Sequence, residues 1–152
     1  MSEKKIRLLD TRALPASENM ALDNIILEEV SSGYSPATFR FLQFDRMAAL
    51  VGYNQDTNLE IRTDFCQAHN IDVNRRITGG GAILFQPSAL GWEIFSATGV
   101  PPFTGPYDKV LERICSTAAE GLSRMGIDAQ FRPRNDIEVN GRKISGTGGA
   151  LG

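Results

Sequence analysis

The stretch Arg75-Arg76-Ile77-Thr78-Gly79-Gly80-Gly81-Ala82-Ile83-Leu84-Phe85 reads as strand, glycine loop, strand. Three consecutive glycines carry no Cβ atoms, so a ligand can come close to the backbone, and their N–H groups can curl around an anion. Arg75 and Arg76 point to opposite sides if both lie on a strand, and Arg76 is the one expected to face the loop's ligand. No Gly-Lys-Ser/Thr follows the glycines, so this is not a P-loop, and no strand-to-helix Gly-x-Gly-x-x-Gly is present. Taken alone, the stretch reads more readily as a flexible hairpin turn with surface arginines.

Upstream, residues 6–12 look like a short strand. Ser17 opens a helical pattern that ends at Gly33, with Leu22, Ile25, Ile26 and Val30 on one face and Glu18, Asp23 and Glu29 largely off it. Two strands follow, 37–44 and 48–53, joined tightly by Asp45-Arg46. A second helix is expected from about Asn58 to His69, capped by Asn70, and Ile71-Asp72-Val73 begins another strand.

Downstream, Pro87 ends one strand and Trp92-Glu93-Ile94-Phe95 starts a partner. The third helix is the most periodic: Val110, Leu111, Ile114, Ala118, Leu122 and Met125 share a face, Pro106 lies near its start, and Gly126 supplies a left-handed stop. Strand 127–132 comes next, then Asp136-Ile137-Glu138-Val139, a turn at Asn140-Gly141, and Arg142-Lys143-Ile144-Ser145, a strong hairpin signal. Strands outnumber helices and are joined largely by short turns. The expected fold class is therefore α+β, a mixed and mostly antiparallel sheet packed with helices.

The hairpin gives a second candidate site. A lysine on a strand that runs into a glycine loop needs an anionic partner if it is buried, because a bare ammonium costs several kcal/mol to bury. A phosphate or carboxylate ligand can supply that partner, with Asp136 holding other polar groups of the ligand or a hydrated Mg²⁺. The alternative is an exposed hairpin with a solvated lysine. The chain then runs through Gly146-Thr147-Gly148-Gly149-Ala150-Leu151-Gly152, which leads to the expectation that 1–152 is the N-terminal portion of a catalytic domain whose remainder and accessory domain lie elsewhere.

Composition bounds the functional classes. The chain has 152 residues, 41% hydrophobic and 22% charged, which is a globular composition. Its net charge of −2 gives no basic excess to drive non-specific nucleic-acid binding. Apolar runs are too short to span a bilayer, and no apolar stretch follows Lys4 and Lys5, so the expected compartment is the cytoplasm, without a membrane or nucleic-acid partner. Cys66 and Cys115 are expected as buried small hydrophobes in helices. The single histidine, His69, is expected at a helix end, which makes a zinc site and a Ser-His-Asp triad poor readings.

Four markers occur in order: Asn19-Met20-Ala21-Leu22-Asp23, Val51-Gly52-Tyr53-Asn54-Gln55, Arg75 through Ala82, and Asn135-Asp136-Ile137 followed by Lys143-Ile144-Ser145-Gly146. Together they resemble the lipoate–protein ligase A family, within the wider group of biotin and lipoyl protein ligases and octanoyltransferases. The resemblance implies a class II biotin/lipoyl-ligase-like catalytic domain. It implies a two-step reaction: lipoate and Mg-ATP give lipoyl-adenylate and pyrophosphate, and the acyl group passes to a lysine on a lipoyl domain of a 2-oxoacid dehydrogenase E2 subunit or on the glycine cleavage H protein. It assigns Lys143 to the acyl phosphate as the catalytic residue. Arg76, Thr78, Gly79, Gly80, Gly81, Ala82, Ile83, Leu84, Asn135 and Asp136 fall to nucleotide and acyl binding, with Mg²⁺ at Asp136. In this reading Lys143 and the triple glycine serve one anionic group. Phe39, Phe41, Val51 and Ile83 are candidates to line an apolar slot, or are ordinary core.

The chain departs from that pattern where many relatives carry His-Asp after the glycines; here Phe85 and Gln86 stand there. Two other readings stay open. One is an octanoyl or lipoyl transferase acting without ATP, although Cys66 and Cys115 fall in helices well before the lysine motif. The other is a non-catalytic lipoate- or nucleotide-binding fragment that needs a second chain. Biotin ligation is weaker, because a Gly-Arg-Gly-Arg loop is missing.

Overall fold

The computed structural model describes residues 5–150, and residues 1–4 and 151–152 lie outside it. Lys4, one of the two N-terminal lysines named above, therefore falls outside the described residues, as do the last two positions of the glycine-rich end. Two compact units are present, one running up to Ala97 and one comprising Thr98–Gly149.

The first unit opens with strand β1 (Arg7–Leu14), helix α1 (Ala16–Ser31) and strand β2 (Thr38–Phe44). β1 and β2 pair in parallel, with α1 as the crossover between them. Strand β3 (Ala48–Val51) follows, then two short helices, α2 (Thr57–Glu60) and α3 (Thr63–Ala68), and strands β4 (Asp72–Arg75), β5 (Ile83–Phe85) and β6 (Gly91–Phe95). They build two three-stranded sheets, ordered β1-β2-β6 and β4-β3-β5. Alternate residues of β2 are buried, as period-two packing requires. Leu42 and Phe44 meet Ala48, Leu50, Ala16 and Met20 in the main core, with Phe85 packed against it.

The second unit is simpler. Helix α4 (Tyr107–Arg124) packs on an antiparallel meander of β7 (Ala129–Arg132), β8 (Asp136–Val139) and β9 (Arg142–Gly146). Cys115, Ala119, Ala129 and Ile137 are its buried centre. The positive φ of Asn140 and Gly141 makes the tight turn that the Asn-Gly pair signals. Gly126, at φ 89°, ends α4 as expected. Four of the six strand pairings are antiparallel, so the fold is the mixed, mostly antiparallel α+β arrangement expected. No helix among the described residues is long and apolar enough to cross a membrane.

Five local expectations fail. The strands on either side of Pro87, β5 and β6, are not partners but pair with β3 and β2 in different sheets. Met125, expected on the apolar face of α4, is 77% exposed at the helix end. The 58–69 helix is two short helices interrupted at Ile61 and Arg62, where the backbone turns extended at Ile61. The strands on either side of Asp45-Arg46 do not pair with each other but enter different sheets. The buried face of α1 is Ala16, Asn19, Met20, Asp23, Ile26 and Val30, while Ile25 is 54% exposed. The sequence pattern puts Asp23 outside and Ile25 inside because it counts apolar residues and takes no account of an ion pair.

That ion pair is the polar centre of the first unit. Arg40 on β2 is fully buried and donates to Asp23 at 2.7 Å, to Glu93 on β6 at 3.1 Å and to Thr11 on β1 at 3.0 Å. It also donates to the Asn19 side chain, one helical turn before Asp23. One guanidinium faces two carboxylates. Burial raises both carboxyls, and Glu93, with Asp23 beside it, is pushed up to about 8. A proton kept on Glu93 leaves the cluster neutral, the arrangement that low-dielectric burial favours.

Glu93 holds its proton in the folded state up to about pH 8, whereas the unfolded carboxyl loses it near 4.5. Its contribution is therefore complete below pH 4.5 and is lost as pH rises toward and through 8. Each tenfold gain in proton affinity on folding corresponds to about 1.4 kcal/mol. Calorimetric melting should show the midpoint falling by on the order of 5 °C or more from pH 5.5 to pH 8.5, and Glu93→Gln should flatten that slope. An equal slope in the variant contradicts the buried proton.

Candidate functional site

The glycine stretch does not form a hairpin. β4 pairs with one edge of β3 in parallel and β5 with its other edge in antiparallel fashion, so Arg76–Ala82 must cross over the C-terminal end of β3. Gly52 lies at that end. A Cβ built on Gly52 would collide with the Gly80 carbonyl oxygen, so the two backbones touch where any side chain would intrude. The crossing is held by the Tyr53 amide donating to the Thr78 carbonyl at 3.0 Å and the Arg76 amide donating to the Val51 carbonyl at 2.9 Å.

Gly80 takes φ 95°, a left-handed conformation that favours glycine, whereas a Cβ on Gly79 or Gly81 would meet nothing within 4 Å. Among the described residues, none accepts from the amides of Gly79, Gly80 or Gly81. Arg76 leans over this segment, donating to Thr78 Oγ1 and to the Gly81 carbonyl, each at 2.8 Å. Its Nε is buried without a partner, and burial lowers the guanidinium's pKa. A half-buried cation with N–H donors left unspent, Nε–H among them, beside three free amides, suits an anion. Arg75 turns the other way, to the Gly52–Gln55 turn.

Ala82, Ile83 and Leu84 continue into β5 and flank an open groove of about 340 Å³ whose other walls include Ala49, Ile61 and Phe65. Of the four residues suggested for an apolar slot, Ile83 lines this groove and Val51 is buried at the end of β3. Phe39 and Phe41 instead pack edge to face, and Phe39 stacks on Trp92. Phe85, where the resemblance expects a polar residue, packs on Phe44 with ring centroids 5.0 Å apart.

In the second unit, Lys143 is not buried. Its side chain is 54% exposed and its Nζ lies 2.8 Å from Asp136 Oδ1, so the anionic partner is internal. A bulge at Ile144 sets Lys143 opposite Glu138, on the face that carries Asp136 and Arg132. Arg132 completes the chain of charges, 3.5 Å from Asp136 and 3.4 Å from Glu138. The lysine reaches Asp136 by lying across Gly146, where a Cβ would sit 2.8 Å from both Cε and Nζ. Asn135 spends its side-chain amide on the Thr147 carbonyl and receives the Thr147 amide at its own carbonyl. Both Asp136 oxygens face cations, and no group of three or more metal-ligating side chains occurs among the described residues. These residues do not by themselves build a resident metal site.

Sequence reasoning missed the parts played by Gly52, Arg75 and Gly146. Each was visible only as a member of a marker, because a missing Cβ has no meaning until the neighbour that fills its place is known. His69 is structural, as expected: it ends α3, stacks on Phe65 and contacts the Phe65 carbonyl through Nδ1. Cys66 and Cys115 are free and buried in helices, also as expected.

The family model for the lipoyl protein ligase A/B catalytic domain matches residues 15–152. The chain belongs to this family. It is 33% identical over 128 residues to lipoate–protein ligase 1 of Staphylococcus aureus, covering 84% of this chain and 37% of that protein. It is 30% identical over 130 residues to the octanoyltransferase LipM of Clostridioides difficile, covering 86% of this chain and 48% of that one. The chain thus spans between about a third and half of the length of these relatives. It shares its fold with a bipartite lipoate protein ligase from Thermoplasma acidophilum, solved in a study of that enzyme and its E2 lipoyl domain. The TM-score is 0.84 at 23% identity, over 98% of this chain and 57% of that one.

Substitutions at the glycines separate contact from open space. Gly52→Ala should destabilise the first unit by about 2 kcal/mol or more, and Gly79→Ala by less than about 1. Denaturant unfolding of the two variants checks this, and equal midpoints would contradict the crossing.

Proposed function

We propose that this chain takes part in the activation of lipoate with ATP, giving lipoyl-adenylate and pyrophosphate, and in passing the lipoyl group to a lysine of a lipoyl-domain acceptor. The acceptor class is the lipoyl domain of a 2-oxoacid dehydrogenase E2 subunit or the glycine cleavage H protein. The observation that carries the reading is the glycine segment with its free amides beside the unspent Nε of Arg76. Membership of a family that includes lipoate ligases supports the substrate class.

An amide does not form from a free carboxylate and an amine in water without activation. The lipoate carboxylate oxygen attacks the α-phosphorus of ATP and pyrophosphate leaves; the acceptor lysine's amine then attacks the acyl carbon and AMP leaves. Negative charge builds at phosphate in the first step, and fixed donors that need no reorganisation stabilise it best. Arg76 and the Gly79–Gly81 amides bind and orient that phosphate, with Thr78 fixing the Arg76 fork. Lys143 is the proposed catalytic cation for the acyl phosphate, and Asp136 holds it in readiness. Mg²⁺ would enter with the nucleotide and would neutralise part of its phosphate charge. No covalent enzyme intermediate is required, which agrees with two buried cysteines.

The second reading is acyl transfer without ATP, favoured by the 30% identity to an octanoyltransferase. Isotope exchange between pyrophosphate and ATP separates the two. Lipoate-dependent exchange is expected, with Lys143→Ala slowing it by about 10²–10³ at unchanged melting temperature. No exchange with lipoate, octanoate or biotin, together with acyl transfer from a carrier protein, overturns the ligase reading.

A further inference from the structure

We propose that Arg75 is a positioning residue for the anion-binding glycine segment, acting through the turn on which that segment rests. The proposal rests on the reading of that segment given above. Arg75 is solvent-exposed, yet its side chain makes four hydrogen bonds, none of them to the glycine loop. Its NH1 donates to the carbonyls of Gly52 at 2.9 Å, Tyr53 at 2.9 Å and Gln55 at 2.7 Å, and its NH2 donates to Thr57 Oγ1 at 3.1 Å.

Three carbonyls converging on one point repel one another unless a cation sits among them. The turn so held is closed from inside by Gln55: its side-chain oxygen accepts from the Gly52 amide at 2.7 Å, and its own amide donates to the Gly52 carbonyl at 3.0 Å. The outer side of the same turn carries the glycine segment, through the Tyr53 amide on the Thr78 carbonyl and the Gly52–Gly80 backbone contact. Displacement of Gly52 or Tyr53 therefore displaces Thr78 and Gly80, and with them the Thr78 hydroxyl that orients Arg76. The paired arginines divide the work: Arg75 fixes the floor, and Arg76 faces the ligand. A lysine at 75 keeps a cation for the carbonyls but gives up the fork to Thr57.

The test uses the 152-residue chain with Arg75→Met and Arg75→Lys, reading amide exchange by NMR and ATP binding by calorimetry. In Arg75→Met the Tyr53 amide should exchange at least about 10-fold faster and the ATP Kd should rise at least about 10-fold, while α4 and β1 amides keep their protection. Arg75→Lys should recover part of both effects, which a general loss of stability would not produce. Unchanged Tyr53 exchange, or a uniform loss of protection through the first unit, overturns the proposal. Faster Tyr53 exchange with no ATP binding even by the wild type supports the positioning role and overturns the nucleotide reading instead.

Discussion

The backbone contact between Gly52 and Gly80 is the constraint on which the candidate anion site depends. β3 ends there, and the chain linking its two neighbours must pass over that end because β4 and β5 occupy opposite edges. A Cβ at Gly52 would occupy the place of the Gly80 carbonyl oxygen. Removing it lets the segment settle onto the turn, where Thr78 pairs with Tyr53. Held in this way, the segment keeps Gly80 left-handed and leaves its amides unspent. The site's capacity for an anion follows from how the sheet is wired, as well as from the glycines themselves.

A second constraint lies in the core. Arg40 ties β1, β2, β6 and α1 together through Thr11, Glu93, Asp23 and Asn19. Replacing one member leaves a buried charge or donor without a partner, which costs more than the intact network contributes. Asn19 and Asp23 belong to the first of the four sequence markers, and their geometry accounts for the spacing: i and i+4 on α1 bring both to one guanidinium.

Much of the fold was legible in the sequence. The periodicity of α4 as far as Leu122, the Asn-Gly turn and the alternation of β2 follow from local rules that tertiary contacts did not overrule. The failures have physical causes. Asp23 looked like a surface residue because its partner lies 17 positions away on a strand. The pairing of β4 and β5 with β3 was invisible because a strand–loop–strand pattern fits a hairpin as well as a crossover. For the site, residue types were readable and neighbours were not: Lys143 was expected to need a ligand as counter-ion, and Asp136 supplies one.

The most direct test is an ATP titration of the ¹⁵N-labelled chain followed by NMR. The account predicts saturable shifts at the Gly79, Gly80 and Gly81 amides and at Arg76 Nε, removed by Gly80→Val in a protein that still melts cooperatively. Saturable binding with those four resonances unmoved would contradict it.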